Sequence, residues 1–269
     1  MSAAGGDAVT HRRVLRVAAP IVLSNATVPL LGAVDTGVVG QMGAAAPIGA
    51  VGLGAVVLAT FYWIFGFLRM GTTGLAAQAH GRGDEAERAA VLWRALIIGL
   101  AAGVGLILCQ GLLFWAAFRV APASAEVEAL ARSYLGLRIW GAPATISLYA
   151  VTGWLIAMER TRGVLVLQLW MNGLNIALDL WFVLGLGWGV PGVAIATLIA
   201  EWTGLALGLW LCRDGLARLE LPRILDRVAL RRMAGVNSDI MIRSVLLQGS
   251  FTAFLFFGDA DELFLVARL

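Results

Sequence analysis

Three ionisable side chains stand where such groups are costly. Asp35, Asp179 and Glu201 each lie inside a run of apolar residues. A charge at the centre of a bilayer costs about 2.5–3.5 kcal/mol on insertion scales, so each needs a reason to be there. Asn175 precedes Asp179 by one helical turn, which puts both on the same face. Depth follows from the nearest flanking arginine. Asp35 lies 19 residues beyond Arg16 and Asp179 lies 17 beyond Arg162, about 28 and 25 Å along an ideal helix. Thr197, on a helix running the other way, lies 16 residues before Arg213, about 24 Å, and Asn175 comes out near 20 Å. Asp35, Asn175, Asp179 and Thr197 therefore share one layer in the outer half of the membrane. Two carboxylates, an amide and a hydroxyl at one depth can bind Na⁺ through oxygens or hold a proton on a carboxyl. Taken singly, they would only tie helices together. Glu201, about 18 Å from Arg213, is nearer the midplane and is either a second proton site or half of an internal structural pair.

The elements that position these groups follow from composition. Of 269 residues, 60% are apolar and 14% charged, and mean hydropathy is +0.85. A soluble domain carries about 25% charged residues. This excludes a soluble enzyme, a disordered tail and a disulfide scaffold, and predicts an all-α polytopic membrane protein. Seven apolar runs separate, near Val14–Gly40, Pro47–Ala77, Val91–Val120, Leu130–Met158, Gly163–Leu186, Val190–Cys212 and Ala234–Gly258. Each can cross a hydrocarbon core of about 30 Å. Every basic residue is arginine, and the arginines between runs alternate, fourteen on one side against two on the other. The positive-inside rule then puts the N-terminus in the cytoplasm of a multi-pass protein of the cell's inner membrane. The pI near 9.4 reflects this topology and not a nucleic-acid partner. The stretch RDGLARLELPRILDRVALRR (Arg213–Arg232) reads as a short amphipathic helix on the cytoplasmic surface.

Enzyme signatures are missing. His11 and His80 both sit in polar segments, no P-loop pattern occurs, and Cys109 and Cys212 suggest neither a disulfide framework nor a metal site. No cofactor is expected beyond a coupling ion, H⁺ or Na⁺. Pro20 and Pro29 weaken the hydrogen-bond ladder of the first run, so the helix that carries Asp35 is also one that can bend.

Four segments carry a family resemblance: PIVLSNATVPLLGAVDTGVVGQMG (Pro20–Gly43), FLRMGTTGLAAQAHGRGD (Phe67–Asp84), NGLNIALDLWFVLGLGWGVPGVAIATLIAEW (Asn172–Trp202) and VNSDIMIRSVLLQ (Val236–Gln248). In that order they resemble helices 1, 2, 5–6 and 7 of the multidrug and toxic compound extrusion (MATE) family, DinF-type branch. The resemblance implies a twelve-helix transporter of two six-helix lobes, working by alternating access. It would export cationic or amphipathic drugs and toxic organic cations in exchange for H⁺ or Na⁺. It implies that Asp35, Asn175, Asp179 and Thr197 couple the ion, that Tyr134 lines the cavity, and that Pro20 is the bend point. On this reading residues 1–212 form the amino-terminal six-helix lobe, 213–233 a basic cytoplasmic linker, and 234–269 a seventh helix with an aberrant tail. After Phe257 the family pattern is lost, and Asp259, Asp261 and Glu262 follow at once. The chain is thus expected to be a truncated form whose second lobe is missing or separately encoded. Alternatives are a lipid-linked oligosaccharide flippase, for which Arg69 and Arg138 are the only cavity cations on offer, and a non-transporting fragment.

Overall fold

The computed structural model of the chain describes residues 18–23, 26, 34 and 37–266, with backbone alone at 248, 249 and 251–266. No strand occurs among the described residues. The first full helices are α1 (Ala45–Ile64) and α2 (Phe67–Gly81), which run on from one another across Phe65 and Gly66. They are followed by α3 (Glu85–Leu108) and α4 (Gln110–Val120). Next come α5 (Ala125–Arg138), a 3₁₀ turn (Ile139–Gly141) and α6 (Ala142–Ala157). Then α7 (Thr161–Asp179) ends in a π turn (Leu180–Gly185), and α8 (Gly189–Leu211) returns. Two single-turn helices, α9 (Arg213–Leu216) and α10 (Leu221–Ile224), lead into the long α11 (Arg227–Val266). Five spans among the described residues are long and apolar enough to cross a membrane: 45–81, 85–108, 125–157, 161–185 and 189–211. They overlap the second to sixth apolar runs, although the span over the third run ends at Leu108 and the rest of that run forms α4. Most of the first run lies outside the described residues.

The lobe is built around α6. Twelve of its sixteen residues are buried, and it packs on α2, α3, α7 and α8. Its sequence, APATISLYAVTGWLIA, carries no charge and is apolar on most of its circumference, as a helix packed among others requires. Lipid tails are as apolar as leucine, so close packing must hold the helices together, and small residues make it possible. A Cβ at Gly103 on α3 would overlap the backbone of Pro143, and one at Gly153 on α6 would come within 2.5 Å of the Arg69 carbonyl. Thr73 staples the second crossing, donating to the carbonyls of both Arg69 (2.8 Å) and Gly153 (3.1 Å).

The ends of the helices meet on one side. Asp84 caps α3 by accepting from the Glu87 N–H at 3.0 Å, and its carboxylate also takes Arg223 at 3.0 Å. Arg94, buried on α3, pairs with Glu87 at 2.8 Å and donates to the carbonyls of Arg223 and Ile224. Those carbonyls belong to the last turn of α10, whose acceptors have no partner within so short a helix. Arg160, before α7, pairs with Asp214 on α9. Thus three arginine-rich segments, at the starts of α3 and α7 and beyond α8, gather at one end of the lobe. The stretch 213–232 is not one amphipathic helix. Pro222 sits in the first turn of α10, where a proline is tolerated, but in one continuous helix its ring would clash with the Arg218 carbonyl, so the chain breaks before α10 into α9, α10 and the first turn of α11.

Candidate functional site

One face of α7 is polar along its length. Gln168, Asn172, Asn175 and Asp179 recur at spacings of four, three and four residues, so they form a single stripe. The Gln168 side-chain amide donates to Asn172 Oδ1 at 3.0 Å. One turn on, Asn175 Nδ2 donates to Thr197 Oγ1 of α8 at 3.1 Å, and that hydroxyl donates to the Val193 carbonyl at 3.0 Å. Asn175 is 1% exposed and its Oδ1 takes no hydrogen bond among the described residues. An amide oxygen held in this state is an acceptor waiting for a cation or a proton donor. Asp179 is fully buried at the last position of α7, and the π turn begins at the next residue. π turns within helices recur at functional sites, because the extra residue re-aims the side chains beside it.

Below this layer lies an ion pair. Glu201, one turn along α8 from Thr197, receives both terminal nitrogens of Arg138 at 2.7 and 2.9 Å. Both residues are buried, and the pair joins α8 to the end of α5. Glu201, Arg138, Asn172, Asn175 and Thr197 line one cavity of about 280 Å³. Tyr62 and Tyr134 line it too. The Tyr134 ring lies over Gly54, where a Cβ would come within 2.5 Å of it. Among the described residues no three His, Cys, Asp or Glu side chains cluster as a metal site.

The MatE family profile matches residues 20–181, more than half of the chain. The chain belongs to the MatE family. It is 37% identical over 246 residues to DNA damage-inducible protein F of Escherichia coli, covering 90% of this chain and 54% of that protein. It is 30% identical over 212 residues to a probable multidrug resistance protein NorM of Synechococcus, covering 75% and 42% respectively. Among solved structures it matches the outward-facing conformation of a multidrug resistance MATE family transporter of the MOP superfamily. That match has a TM-score of 0.79 at 24% identity and covers 91% of this chain and 54% of that one. The chain spans about half the length of the relatives it matches. The Synechococcus protein and the solved structure are named for multidrug resistance, and none of the three is named as an enzyme. The chain is a multi-pass membrane protein with the all-α architecture expected of one MATE lobe and the helix that follows it.

In this MatE lobe the residues expected from sequence fall as follows. Asn175 and Thr197 are in direct contact, and Asp179 stands one turn beyond on the same face. Asp35 lies outside the described residues. Tyr134 lines the cavity, and Pro20 is helical and half-buried. Glu201 is in the ion pair. The sequence reading missed Gln168 and Asn172, although the spacing that links Asn175 to Asp179 extends directly to them. It also missed that Arg138 is the partner of Glu201, since 63 residues separate the two.

Proposed function

We propose that the chain is the amino-terminal lobe of a secondary exporter of cationic or amphipathic compounds, driven by inward H⁺ or Na⁺ flow through alternating access. The observation that carries this reading is the buried stripe of α7, where Asn175, bonded to Thr197, keeps an acceptor oxygen open one turn from buried Asp179. Asp35 completes the set on the sequence reading. The stripe offers neutral oxygens and a carboxylate to an ion in a medium where nothing else will solvate it. The relatives named as multidrug resistance proteins support the cargo class, and their roughly doubled length supports a second lobe, in this chain's continuation or on a separate one. Arginine alternation supports a cytoplasmic N-terminus in the inner membrane. The flippase reading is weaker, because of its two cavity cations Arg138 is neutralised by Glu201.

The test uses rhodamine 6G, a cationic dye, bound to the purified chain in lipid nanodiscs. Na⁺ or protons are expected to weaken its binding, and Asp179→Asn to remove that competition. Dye binding that ignores both ions in the parent chain would sink the proposal.

A further inference from the structure

Arg69 sits on α2, twelve residues from the helix end at Gly81, about 18 Å along the axis and so near the middle of the membrane. A guanidinium at that depth normally pairs or faces water. The two buried arginines among the described residues are both neutralised, Arg138 by Glu201 at 2.7 Å and Arg94 by Glu87 at 2.8 Å. Arg69 makes no ion pair and donates no hydrogen bond from its guanidinium among the described residues. It opens instead into a cavity of about 600 Å³ between α2, α6 and α7, and into a second of about 260 Å³ on the side of α11. The larger one lies within the size range of small-molecule sites. Its other polar lining is Thr73, Thr145, Tyr149, Thr152 and Gln168, with no Asp or Glu among the described residues, and methionine and leucine supply much of the walls. The Thr145 hydroxyl is buried and has no hydrogen-bond partner among the described residues. A fixed cation, a ring of hydroxyls and apolar walls make a site for an acid group on an apolar body.

We propose that Arg69 and its cavity bind the anionic head group of an amphiphile, a carboxylate, sulfonate or phosphate. The acid group lies on the guanidinium, the hydroxyls complete its hydrogen bonds, and the apolar body fills the space against Met70 and Met171. This extends the cargo class of the proposed exporter to amphipathic acids and zwitterions, and it rests on that reading only in treating the ligand as cargo.

The test reads binding with no ion gradient, so its failure leaves the coupling reading intact, and a chain without coupling can still show it. Dansyl-undecanoate and its uncharged carboxamide are titrated onto the full chain in phosphatidylcholine nanodiscs. The acid is expected to bind about ten-fold tighter than the amide. Arg69→Gln is expected to abolish that preference while leaving amide binding unchanged, and Arg69→Lys to keep part of it. Independently of any variant, the acid but not the amide should protect Arg69 from phenylglyoxal, read by mass spectrometry. Equal binding of acid and amide, or a preference that survives Arg69→Gln, overturns the proposal. So does equal reactivity of Arg69 with and without the acid. Displacement of the acid by phosphatidylglycerol in the disc supports the site and makes the bilayer its source of ligand. Insensitivity to phosphatidylglycerol supports the site with a dissolved acid as ligand.

Discussion

Glu201 and Arg138 show what a single residue type can and cannot reveal. A carboxylate in an apolar run announces a cost, but only the fold shows that the cost is met by a bidentate partner on another helix. Removing one member strands the other charge, whereas removing both need not. Glu201→Ala is therefore expected to destabilise the lobe by about 3–5 kcal/mol, and the double change Arg138→Met with Glu201→Met by much less. Unfolding in graded denaturing detergent measures both, and equal losses would show that the pair does not act as a unit. At Thr197, valine keeps the shape and removes the oxygen that Asn175 donates to. The expected loss is about 1 kcal/mol of stability, together with weaker ion competition in the dye assay. Legibility followed charge. Asp179 and its neighbour Asn175 were visible because an acid in lipid is rare, while Gln168 and Asn172 carry the same periodicity but drew no attention as neutral amides. The partner of Glu201 was hidden because no local pattern encodes a contact across 63 residues.

Helices rather than loops set the geometry here, and their crossings depend on missing side chains. The second to sixth apolar runs each match one span of the described part of the lobe, because hydrocarbon thickness fixes their length. Their internal breaks at Phe65–Gly66, Cys109 and the 3₁₀ turn at 139–141 were not legible, since an apolar run reads the same whether its helix is continuous or not. The crossing of α3 and α6 is set at Gly103, so Gly103→Val is expected to force the backbones apart and to lower the yield of folded chain sharply, as read by size-exclusion profile. Docking of the α9–α10 segment makes a contrasting prediction. Its backbone hydrogen bond at Glu87 and its arginine neighbour hold Asp84 below the usual carboxylate range, and the Arg160 guanidinium does the same for Asp214. A lowered carboxylate contributes stability above its unfolded pKa of about 3.9 and loses it as pH falls through the lower folded value. Amide protection over 213–226, taken relative to the intrinsic exchange rate at each pH, is thus expected to be unchanged between about pH 8 and pH 5 and to fall only in stronger acid. A response near neutrality would mean that another group controls this segment. Arg94→Gln, which removes the charge held against the α10 carbonyls, is expected to lower that protection at every pH.

On the scale of the whole lobe, two cavities matter, and they share a wall. The cavity of about 280 Å³ that holds Asn175, Thr197 and the Arg138–Glu201 pair is lined on α7 by Gln168, Met171, Asn172 and Asn175, and the Arg69 cavity of about 600 Å³ by Val164, Leu167, Gln168 and Met171. Gln168 and Met171 line both. Gln168 is bonded to Asn172 in the stripe, and Met171 packs where a Cβ at Gly204 would come within 2.5 Å of it. This wall gives ion and amphiphile a way to sense one another without touching. On the two proposed readings, a ligand pressing Met171 toward α8 would change the spacing of Asn175 and Thr197, and an ion bound there would hold the wall in place. Coupling between sites is typically about 1–3 kcal/mol, or roughly five- to 150-fold in affinity, and it must be reciprocal. For the parent chain, saturating Na⁺ at fixed neutral pH should weaken dansyl-undecanoate binding by a factor in that range, and the probe should weaken Na⁺ binding by the same factor. Met171→Ala leaves both sets of polar groups in place and removes the part that transmits between them. The ratio of probe affinities with and without the ion is then expected to fall to about three-fold or less, with each ligand still bound. A ratio that persists in Met171→Ala would place the coupling elsewhere, in the movement of the helix that carries Asp35 and Pro20.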